Sequence, residues 1–407
     1  AGAADGDGSE SAPFGTIAEA LEAAAAGDVV VIGQGTYPEA VIPDRDVTLW
    51  GSCVQLTVID APEPPVPEAQ GALQVWGGVF VTARNVRITG EQLGVGILGT
   101  VTLEGVWIDR STLGGVLVAE GEATISGSLV TSIRASEPGT GYGVAVSAAG
   151  SGERRATLRR TTVEQARAAS VVATSTASRL ELEDVLLRET LPDDGSPWGT
   201  GLLISDGSSV SGRRVVVHRG TKLGIAAMGA SLELDRAVIT GTVGDAAEGD
   251  GPGLIVANGA VATVRHAVID GNRNMGVMIS DYTFGEGPPP EAVLEDVVVR
   301  GTHPLTTGLL GVGALCQYGD LTLRRALVEE NHSWGVALTN CPATAEDLWV
   351  RDTLAPPESE SGGVGIGADE PPSLSLTRAL IEESRGRGVH VADCQGEIAL
   401  EDLTVRD

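Results

Sequence analysis

The sequence predicts an almost all-β protein, a single solenoid of the parallel β-helix type with about 13–15 coils. The first observation is an internal repeat, in which a short apolar triplet recurs at intervals of 20 to 33 residues. The second is that each repeat also holds a segment like Gly-Val-x-Val, as at Gly335–Leu338 and Gly388–Val391. Short, β-branched runs punctuated by glycine are typical of strands, and a period in this range is typical of a solenoid.

The charges beside the triplets alternate in sign from one repeat to the next, which is the third observation. Leu294–Gly301 reads LEDVVVRG, whereas Leu323–Glu330 reads LRRALVEE. Stacked coils place equivalent residues side by side at about 4.8 Å, where opposite charges attract and like charges repel. The pattern therefore predicts a charge ladder that fixes the register of the coils. Each exposed pair contributes only about 0–1 kcal/mol, and we interpret these residues as structural rather than catalytic.

The N-terminal part of the chain precedes the repeats. Residues 1–15 are rich in Gly, Asp and Ser and are predicted to form a flexible arm. Thr16–Ala26 predicts a short amphipathic helix, because Thr16 and Glu19 stand at the positions of a capping box and Gly27 supplies a stop. This cap, residues 16–27, would cover the lumen of a β-helix that runs from 28 to 407, since a solenoid needs covered ends for solubility.

The triplets define the coils that follow. Their last apolar residues are Ile88, Ile108, Val130, Val163, Leu187, Val217, Ile239, Ile269, Val299, Val328, Val350, Ile381 and Val405. Most middle residues, such as Trp107 and Trp349, are apolar too, and three successive residues of a strand cannot all face one lumen. Two alternatives remain open. Either a corner absorbs one residue, or an apolar stripe runs along the outside, where it would bind a protein partner unless flanking side chains cover it.

Long loops recur after alternate coils at one turn of the repeat. They are Thr131–Tyr142, Thr190–Thr200, Gly241–Gly253, Gly301–Gly311 and Asp352–Gly363, and a further insertion, Asp281–Pro290, leaves from a different turn. Trp198 offers a platform on which a sugar ring stacks. Trp198, Asp193, Asp194 and His303 are the candidate binding residues. The acids available in the loops for catalysis are Asp193, Asp194, Asp245, Glu248, Asp250, Glu358 and Glu360.

Parity along the Gly-Val-x-Val strands predicts which of their residues point outwards, because side chains alternate along a strand. The predicted outward row is Leu117, Ala145, Val172, Leu203, Ala226, Ile255, Met278, Gly313, Ala337, Gly365 and His390. It contains no Asp, Glu, Arg or Lys. A calcium-dependent lyase needs a carboxylate cluster and a base, and a glycosidase needs two carboxylates, so this row favours a non-catalytic face. Asn272 and Asn331 are interpreted as turn residues rather than ligands.

The N-terminal segment carries a family resemblance. Its residues are Asp7-Gly8-Ser9, Pro13-Phe14, Thr16-Ile17, Gly27-Asp28, Gly35-Thr36-Tyr37, Glu39, Val47-Thr48-Leu49, Gly51 and Thr57–Asp60. Together they resemble the N-terminal cap of the pectin-lyase-like superfamily of right-handed parallel β-helices. The resemblance implies a right-handed solenoid and a sheet that, with its loops, forms the sugar-binding groove of the enzymes. The superfamily includes lyases, hydrolases, esterases and extracellular proteins of no known activity, so the fold alone does not give the function.

One fragment tests the enzymatic interpretation further. Val106–Arg110 is similar to the v-W-i-D-H motif of pectate lyases, but Arg110 stands where that motif has His. The fragment is also in register with the repeat, as in Ala267–Asp270 and Leu348–Asp352. We therefore interpret it as part of the charge ladder.

Cysteines and acids near the ends raise two further expectations. Four cysteines allow three pairings. Cys316 and Cys341 fall near the same turn of consecutive coils and are predicted to form a disulfide, with Cys53 and Cys394 free. Asp5 and Asp7, near Glu10, are the only candidates for a metal, which would be calcium. No other cofactor is expected.

Composition bounds the function. A net charge of −28 argues against nucleic acid and against anionic membrane surfaces, and no run approaches the roughly 20 apolar residues of a membrane-spanning helix. The chain begins at Ala1 rather than Met, so we expect a secreted or cell-surface protein whose signal sequence has been removed. The sequence favours a non-catalytic structural, adhesive or glycan-binding module that meets a polysaccharide, a cell-surface glycan or a protein. The alternative is a polysaccharide lyase or glycoside hydrolase that uses loop carboxylates.

Overall fold

The computed structural model describes residues 6–61, 71–147, 152–192, 199–244, 251–281, 287–305, 310–355 and 362–406. Within these ranges the chain forms 37 strands and a seven-residue helix, and every named pairing of strands is parallel. It divides into two compact units, Ala1–Trp198 and Gly199–Asp407. Across the described ranges, no helix has the length and apolar character needed to cross a bilayer. The boundaries predicted for the arm, the cap and the β-helix remain predictions.

The cap helix α1 spans Ile17–Ala23 and begins as predicted. The Thr16 hydroxyl accepts a hydrogen bond from the Glu19 backbone N–H at 3.1 Å, and the Glu19 carboxylate accepts one from the Thr16 N–H at 3.1 Å. Glu39 accepts the backbone N–H groups of Ile17 and Ala18 at 2.8 and 2.9 Å. The free N–H groups of the first turn are therefore satisfied by the Glu39 carboxylate and the Thr16 hydroxyl, and the charges of Glu39 and Glu19 also suit the positive end of the helix.

The helix ends earlier than the predicted Ala26. Ala24 is already extended, with φ −73° and ψ 144°, although its N–H still bonds to the Ala20 and Leu21 carbonyls. Gly27, at φ +89°, serves a turn that leads to the first strand rather than the helix C-terminus itself. Ile17 and Leu21, at 2% and 7% exposure, are the buried face of this cap.

Unit 1 contains eighteen strands in three rows. They are β1 (Val29–Ile32), β2 (Gly35–Tyr37), β3 (Val47–Gly51), β4 (Thr57–Asp60), β5 (Gly71–Val75), β6 (Phe80–Arg84), β7 (Arg87–Thr89), β8 (Leu93–Ile97), β9 (Thr100–Glu104), β10 (Trp107–Asp109), β11 (Gly114–Val118), β12 (Gly121–Ser126), β13 (Leu129–Thr131), β14 (Tyr142–Val146), β15 (Arg154–Arg159), β16 (Thr162–Glu164), β17 (Ala169–Thr174) and β18 (Ser178–Arg188). One sheet is β5-β8-β11-β14-β17, and the remaining strands form the other two faces of each coil.

Unit 2 repeats the same three-sided coil. Its strands are β19 (Thr200–Ser205), β20 (Ser209–His218), β21 (Leu223–Met228), β22 (Ser231–Asp235), β23 (Val238–Thr240), β24 (Leu254–Ala257), β25 (Val261–Asp270), β26 (Met275–Ser280), β27 (Glu291–Arg300), β28 (Val312–Gln317), β29 (Asp320–Glu329), β30 (Trp334–Thr339), β31 (Ala343–Arg351), β32 (Val364–Asp369), β33 (Ser373–Thr377), β34 (Leu380–Glu382), β35 (Val389–Ala392), β36 (Glu397–Glu401) and β37 (Thr404–Arg406). One sheet is β19-β21-β24-β26-β28-β30-β32-β35.

Two faces of each coil carry the charge ladder, and we call them the ladder faces. A single residue in the left-handed conformation bends the chain between them. In β27 this residue is Asp296, at φ +54°, with Leu294 and Val297 buried on either side. The following coils place Arg325, Asp347, Arg378 and Asp402 at the same corner, with φ from +50° to +54°. The alternating Asp and Arg row of the sequence is thus a row of corners, where a residue other than Gly costs about 1–2 kcal/mol of backbone strain.

The charge ladder is confirmed in register and in contact. Arg300 pairs with Glu329 and Glu329 with Arg351 across successive strands. The Arg325 guanidinium lies 2.7 Å from Asp296, and the Arg378 guanidinium lies 2.7 Å from Asp347. These side chains are a third to a half exposed, so each pair stabilises the fold only slightly. Their main effect is to disfavour slipped registers.

The triplets resolve the alternative left open by the sequence. Val297 and Val299 face the lumen at 1% and 0% exposure, while Val298 between them faces outwards and is half-buried. An apolar stripe therefore runs along the outside of the coils, partly covered by flanking charged side chains. Trp349 is the most open member at 36% exposure, and the Arg351 guanidinium lies 4.5 Å from the centre of its ring.

The motif-like fragment around Trp107 belongs to the same ladder. Trp107 is in register with Arg87 and Leu129, and the Arg87 guanidinium lies 4.2 Å from the centre of its ring. The Asp109 carboxylate, only 4% exposed, accepts a hydrogen bond from Arg87 Nε at 2.8 Å. Arg110 is at the following turn with φ +63°. The fragment therefore serves coil stacking.

The predicted disulfide is present. Cys316 in β28 and Cys341 just after β30 are joined with Cα atoms 5.9 Å apart, and both are fully buried. It connects two neighbouring coils, because β28 and β30 are adjacent strands. Cys53, half-buried, and Cys394, exposed, are free thiols as predicted.

Candidate functional site

The groove face, defined as the outward side of the eight-stranded sheet of unit 2, is where the sequence predicted a binding surface. Register places Leu203, Ala226, Ile255, Met278, Leu315, Ala337, Gly367 and His390 in one outward row. Two predicted members are wrong: Leu315 and Gly367 occupy the places assigned to Gly313 and Gly365. The row still contains no Asp, Glu, Arg or Lys.

The parity error has a steric cause. A Cβ on Gly313 would lie 2.8 Å from Val328 Cγ1, and one on Gly365 would lie 2.5 Å from Ile381 Cγ2. Val328 and Ile381 are lumen residues, so both glycines point inwards, like the residue that follows each of them. Alternation is therefore interrupted at the start of each of these strands, and glycine is needed because the lumen has no room there for a side chain.

An apolar cluster covers the middle of the groove face. Met275, Val312 and Leu315 are buried there although they lie outside the lumen, and Met278, Trp334 and Ala337 pack against them. The Trp334 indole lies over Gly367, where an added Cβ would be 1.8 Å from Cζ3. Trp334 and Met278 are half-buried, so the groove face presents an aromatic ring and a flexible apolar side chain to a ligand.

A row of cationic and imidazole side chains borders this cluster, and we call Arg273, His303, His332 and Arg385 the cation row. Arg273 and His303 pair as neighbours in successive coils, and the rings of His303 and His332 have centroids 6.3 Å apart. In the next coil Leu354 lies beside His332 and occupies the same position of the row. Arg385 lies in the coil after that, and its backbone N–H donates to the Thr353 carbonyl at 3.1 Å.

Buried asparagines hold the turns that carry this row. Asn331 Oδ1 accepts the Thr302 N–H at 3.0 Å, and its Nδ2 donates to the Val299 carbonyl at 3.1 Å. Asn272 makes the equivalent bonds to Thr242 and Ile239, each at 3.1 Å. Their interpretation as turn residues is confirmed. Each asparagine is followed by a member of the cation row, which the turn directs away from the lumen.

The backbone then links the cation row directly to the groove face. The Met275 N–H donates to the Arg273 carbonyl at 2.9 Å, and the Trp334 N–H donates to the His332 carbonyl at 2.6 Å. The cationic side chain and the apolar side chain of one coil are therefore separated by a single residue. A ligand lying along the groove face would meet both.

The electrostatics of the cation row differ from those of the ladder. Burial lowers the pKa of His303 below its ordinary value, and the nearby His332 and Arg273 lower it further. In the part of the chain that the structure describes, none of the four members has a carboxylate partner within ion-pair distance. Several ladder arginines, by contrast, are paired closely: Nη2 and Nε of Arg351 lie 2.6 and 2.9 Å from the Glu329 carboxylate.

Most residues that the sequence singled out as candidate site residues lie outside the part of the chain that the structure describes. Asp193, Asp194, Trp198 and Asp5 lie outside the described residues, as do the other loop acids Asp245, Glu248, Asp250, Glu358 and Glu360. The Asp7 carboxylate accepts the Ser9 N–H at 3.0 Å, and hydrogen bonds from Ser9 lower its pKa. Within the described ranges no group of three or more His, Cys, Asp or Glu is placed to hold a metal ion. The calcium site remains a prediction.

His303 is the predicted site residue that the structure brings together with others. Arg273, His332 and Trp334 were missed by sequence reasoning. A signal for them exists in the segments GNRNMGV (Gly271–Val277) and ENHSWGV (Glu330–Val336), where Arg matches His and Met matches Trp. The match of one basic and one large apolar residue in each segment indicates a shared face, which coil stacking then assembles.

Comparisons with known proteins locate the fold. No protein-family model and no curated protein sequence matches the chain. Among solved structures, the periplasmic alginate epimerase AlgG is similar at 10% identity, with 82% of this chain and 76% of that chain covered and a TM-score of 0.55. The A-module of the Azotobacter vinelandii mannuronan C-5 epimerase AlgE4 matches at 14% identity over 95% and 89%, with a TM-score of 0.44. The parallel sheets of this chain are those of a right-handed parallel β-helix fold.

Proposed function

We propose that this protein is an extracellular, non-catalytic β-helix module that binds an acidic polysaccharide along the groove face of unit 2. The observation that carries the proposal is the cation row, Arg273, His303, His332 and Arg385. Acidic residues outnumber Lys and Arg by 55 to 27 in the chain, yet in its described part no carboxylate lies within ion-pair distance of these four side chains. Their alignment beside Trp334 fits a linear polymer that carries a carboxylate on successive sugars.

The apolar cluster supplies the second half of the recognition. Sugar rings stack their apolar faces on aromatic side chains, and guanidinium groups bind carboxylates in a bidentate manner. Successive coils repeat at about 4.8 Å. Arg273, His303 and His332 lie on three successive coils, and Arg385 follows two coils further on, after Leu354. The structural neighbour AlgG is an alginate epimerase, and alginate is an acidic polysaccharide, which supports the same class of ligand here.

A second candidate function is elimination or epimerisation at a uronic acid, and the surroundings of His303 favour it. A lowered pKa leaves His303 largely neutral at pH 7, and a neutral imidazole accepts protons. In such a reaction His303 would remove the proton α to the sugar carboxylate, while Arg273 would balance the charge that develops on that carboxylate. The electron pair would then either expel the neighbouring glycosidic oxygen or take a proton back on the opposite face.

One experiment separates the two functions. The full chain is incubated with polyuronates and with neutral polysaccharides, with and without calcium, and each mixture is examined by affinity electrophoresis and mass spectrometry. The proposal expects retardation in polyuronate gels, none in neutral gels, and polymers of unchanged mass and configuration. Unsaturated oligosaccharides or inverted residues would establish the catalytic alternative. Absence of both retardation and reaction products with every acidic polymer would contradict both functions.

A further inference from the structure

The outward stripe of triplet residues in unit 2 forms a second surface. It lies on different strands from those of the groove face. Val298, Leu327, Trp349 and Leu380 are direct neighbours across four consecutive coils. All four are half-buried or more open, with Trp349 at 36% exposure. We call this stripe, together with the charged residues on its two sides, the triplet face.

Two charged rows border the stripe. The corner row is Asp296, Arg325, Asp347 and Arg378, and the end row is Arg300, Glu329, Arg351 and Glu382. Within each coil the two flanking residues have opposite signs, because a corner Asp is always matched by an end Arg and a corner Arg by an end Glu. The four arginines and four carboxylates cancel, so the triplet face is formally neutral in a chain of net charge −28.

This pattern makes the face its own complement. A rotation of 180° about an axis running along the stripe keeps every coil at its level and exchanges the corner row with the end row. Asp296 then meets Arg300 of the second copy, and Arg325 meets Glu329 of the second copy. The same holds in the next two coils, so every flanking charge faces the opposite sign.

We propose that the triplet face binds the triplet face of a second copy of this chain, related by a two-fold axis along the apolar stripe. Any other partner would have to present two rows of charges that alternate in sign along each row and are opposite in sign between the rows. The charges would also need the spacing of about 4.8 Å that stacked strands have. The face of a second copy has that spacing by construction. The apolar stripe excludes water at the centre, and Trp349 with Arg351 provides the kind of anchor that dominates interfaces.

The charges remain available for this contact although they already pair within the ladder. Arg325 is 50% exposed and Asp296 34% exposed while they lie 2.7 Å apart. The two rows are about 13 Å apart, from four residues at about 3.3 Å each. A face about 13 Å wide and four coils long falls below the standard interface of about 800 Å² per partner. We therefore expect a weak, reversible dimer with a dissociation constant in the micromolar range.

Sedimentation equilibrium of the full chain across a wide concentration range tests this first. The wild type is expected to pass from monomer to dimer, and Trp349→Asp with Leu327→Asp should raise the dissociation constant at least tenfold. Val261→Asp is the matched control, because Val261 is an exposed valine (47%) on another face, and it should change nothing. A wild type that stays monomeric throughout, or that forms trimers, would overturn the two-fold arrangement.

A charge-swap pair gives the sharper test, since it also controls for misfolding. One variant carries Asp296→Arg with Arg325→Asp, and the other carries Arg300→Asp with Glu329→Arg. Each exchange keeps the opposite-sign pair between the two exchanged coils, although it also places a like charge beside Asp347 or Arg351 in the next coil, so the melting temperature of each variant is measured as well. Alone, each exchange sets like charges against each other across the two-fold axis. Each variant should therefore be monomeric, and an equimolar mixture should restore dimers. Homodimers of either variant, or a mixture that stays monomeric while both melt like the wild type, would contradict the proposal.

Discussion

His303 combines two roles at the scale of single residues, as a titrating group and as a member of the cation row. Its folded pKa lies below the ordinary value of about 6.5, because burial and the neighbouring His332 and Arg273 disfavour the imidazolium. The unfolded chain therefore binds the proton more readily. As pH falls through the window below about 6.5, the free energy of unfolding decreases, since the unfolded state takes up the proton first.

A polyanion reverses this penalty, which gives the first prediction. Carboxylates beside His303 favour its protonated form, so affinity for an acidic polysaccharide should rise several-fold between pH 7.5 and pH 5.5. His303→Gln should flatten much of that rise, whereas His218→Gln, a change on the ladder side of the coil, should leave it intact. Titration by calorimetry at several pH values measures both. An affinity independent of pH in the wild type would contradict a role for His303 in binding.

Gly276 gives the second residue-scale prediction. An added Cβ would lie 2.5 Å from Val299 Cγ1 and 2.6 Å from the Gly313 carbonyl oxygen. Gly276→Ala should therefore cost about 1–3 kcal/mol, as overpacking does in a dense core. Gly77→Ala is the control, because its nearest neighbour would be 3.6 Å away. Denaturant unfolding measures both, and equal costs for the two changes would refute the steric account.

The position of a side chain could be predicted where a sequence pattern repeats. It could not be predicted where a single backbone angle decides the direction of the side chain. The alternation of Asp296 and Arg325 was visible in the sequence, but their left-handed corner was not, since Arg rarely adopts that conformation and the preference of Asp for it is weak. The inward direction of Gly313 and Gly365 was likewise hidden, because strict alternation was assumed at a point where the strand begins with a bend.

At the scale of elements, the coil is held together by stacking, and one covalent link adds to it. The Cys316–Cys341 disulfide closes a sequence separation of 25 residues between adjacent coils. In the chain-entropy model, a loop of this size corresponds to about 3 kcal/mol of stabilisation. Its position was predicted because the two cysteines occupy nearly the same turn of consecutive coils.

The third prediction concerns this link. Cys316→Ala with Cys341→Ala should lower the free energy of unfolding by up to about 3 kcal/mol, because the unfolded chain regains the freedom of the loop. Ligand binding at pH 7 should be unchanged. Cys53→Ala with Cys394→Ala is the control, since both thiols are free and at least partly exposed. Denaturation of the two double variants, with and without reductant, measures the difference. A reductant effect on the Cys316 and Cys341 variant would show a different pairing.

At the scale of the whole molecule, the charge ladder predicts how the fold responds to acid. Hydrogen bonds from Arg325 lower the pKa of Glu295 and Asp296, and Arg378 lowers that of Asp347. Depressed carboxyl pKa values stabilise the fold above pH 4 to 5, and this contribution is lost as pH falls through the folded pKa. Glu383 acts in the opposite direction, because a hydrogen bond with Asp352 raises its pKa.

The fourth prediction is therefore a melting temperature that falls steeply below about pH 4, where paired carboxylates in the ladder take up protons. Asp296→Asn with Asp347→Asn should reduce that slope and lower the melting temperature near pH 7. Asp369→Asn, at an exposed position without a resolved ion pair in the described ranges, should do neither. Calorimetric scans from pH 3 to pH 7 measure the slope. Identical pH profiles for the wild type and the ladder variant would show that the ladder contributes nothing measurable.

The fold could be predicted because the same short repeat recurs along the chain, and few architectures other than a solenoid are compatible with it. The function was less predictable, because a groove is assembled from residues one coil apart. His303 and His332 are 29 positions apart in the chain, yet their rings have centroids 6.3 Å apart. Periodicity alone locates the coils, but small differences in coil length decide which side chains become neighbours, and those differences fall in the turns.

Binding of a polyuronate to cation-row variants tests the central claim most directly. Affinity is measured by calorimetry for the wild type, for Arg273→Gln with Arg385→Gln, and for the control Arg324→Gln, an exposed arginine on the ladder face. The account predicts that the double variant loses at least tenfold in affinity at unchanged melting temperature, while the control matches the wild type. Equal affinities for all three proteins, or no binding by the wild type, would contradict it.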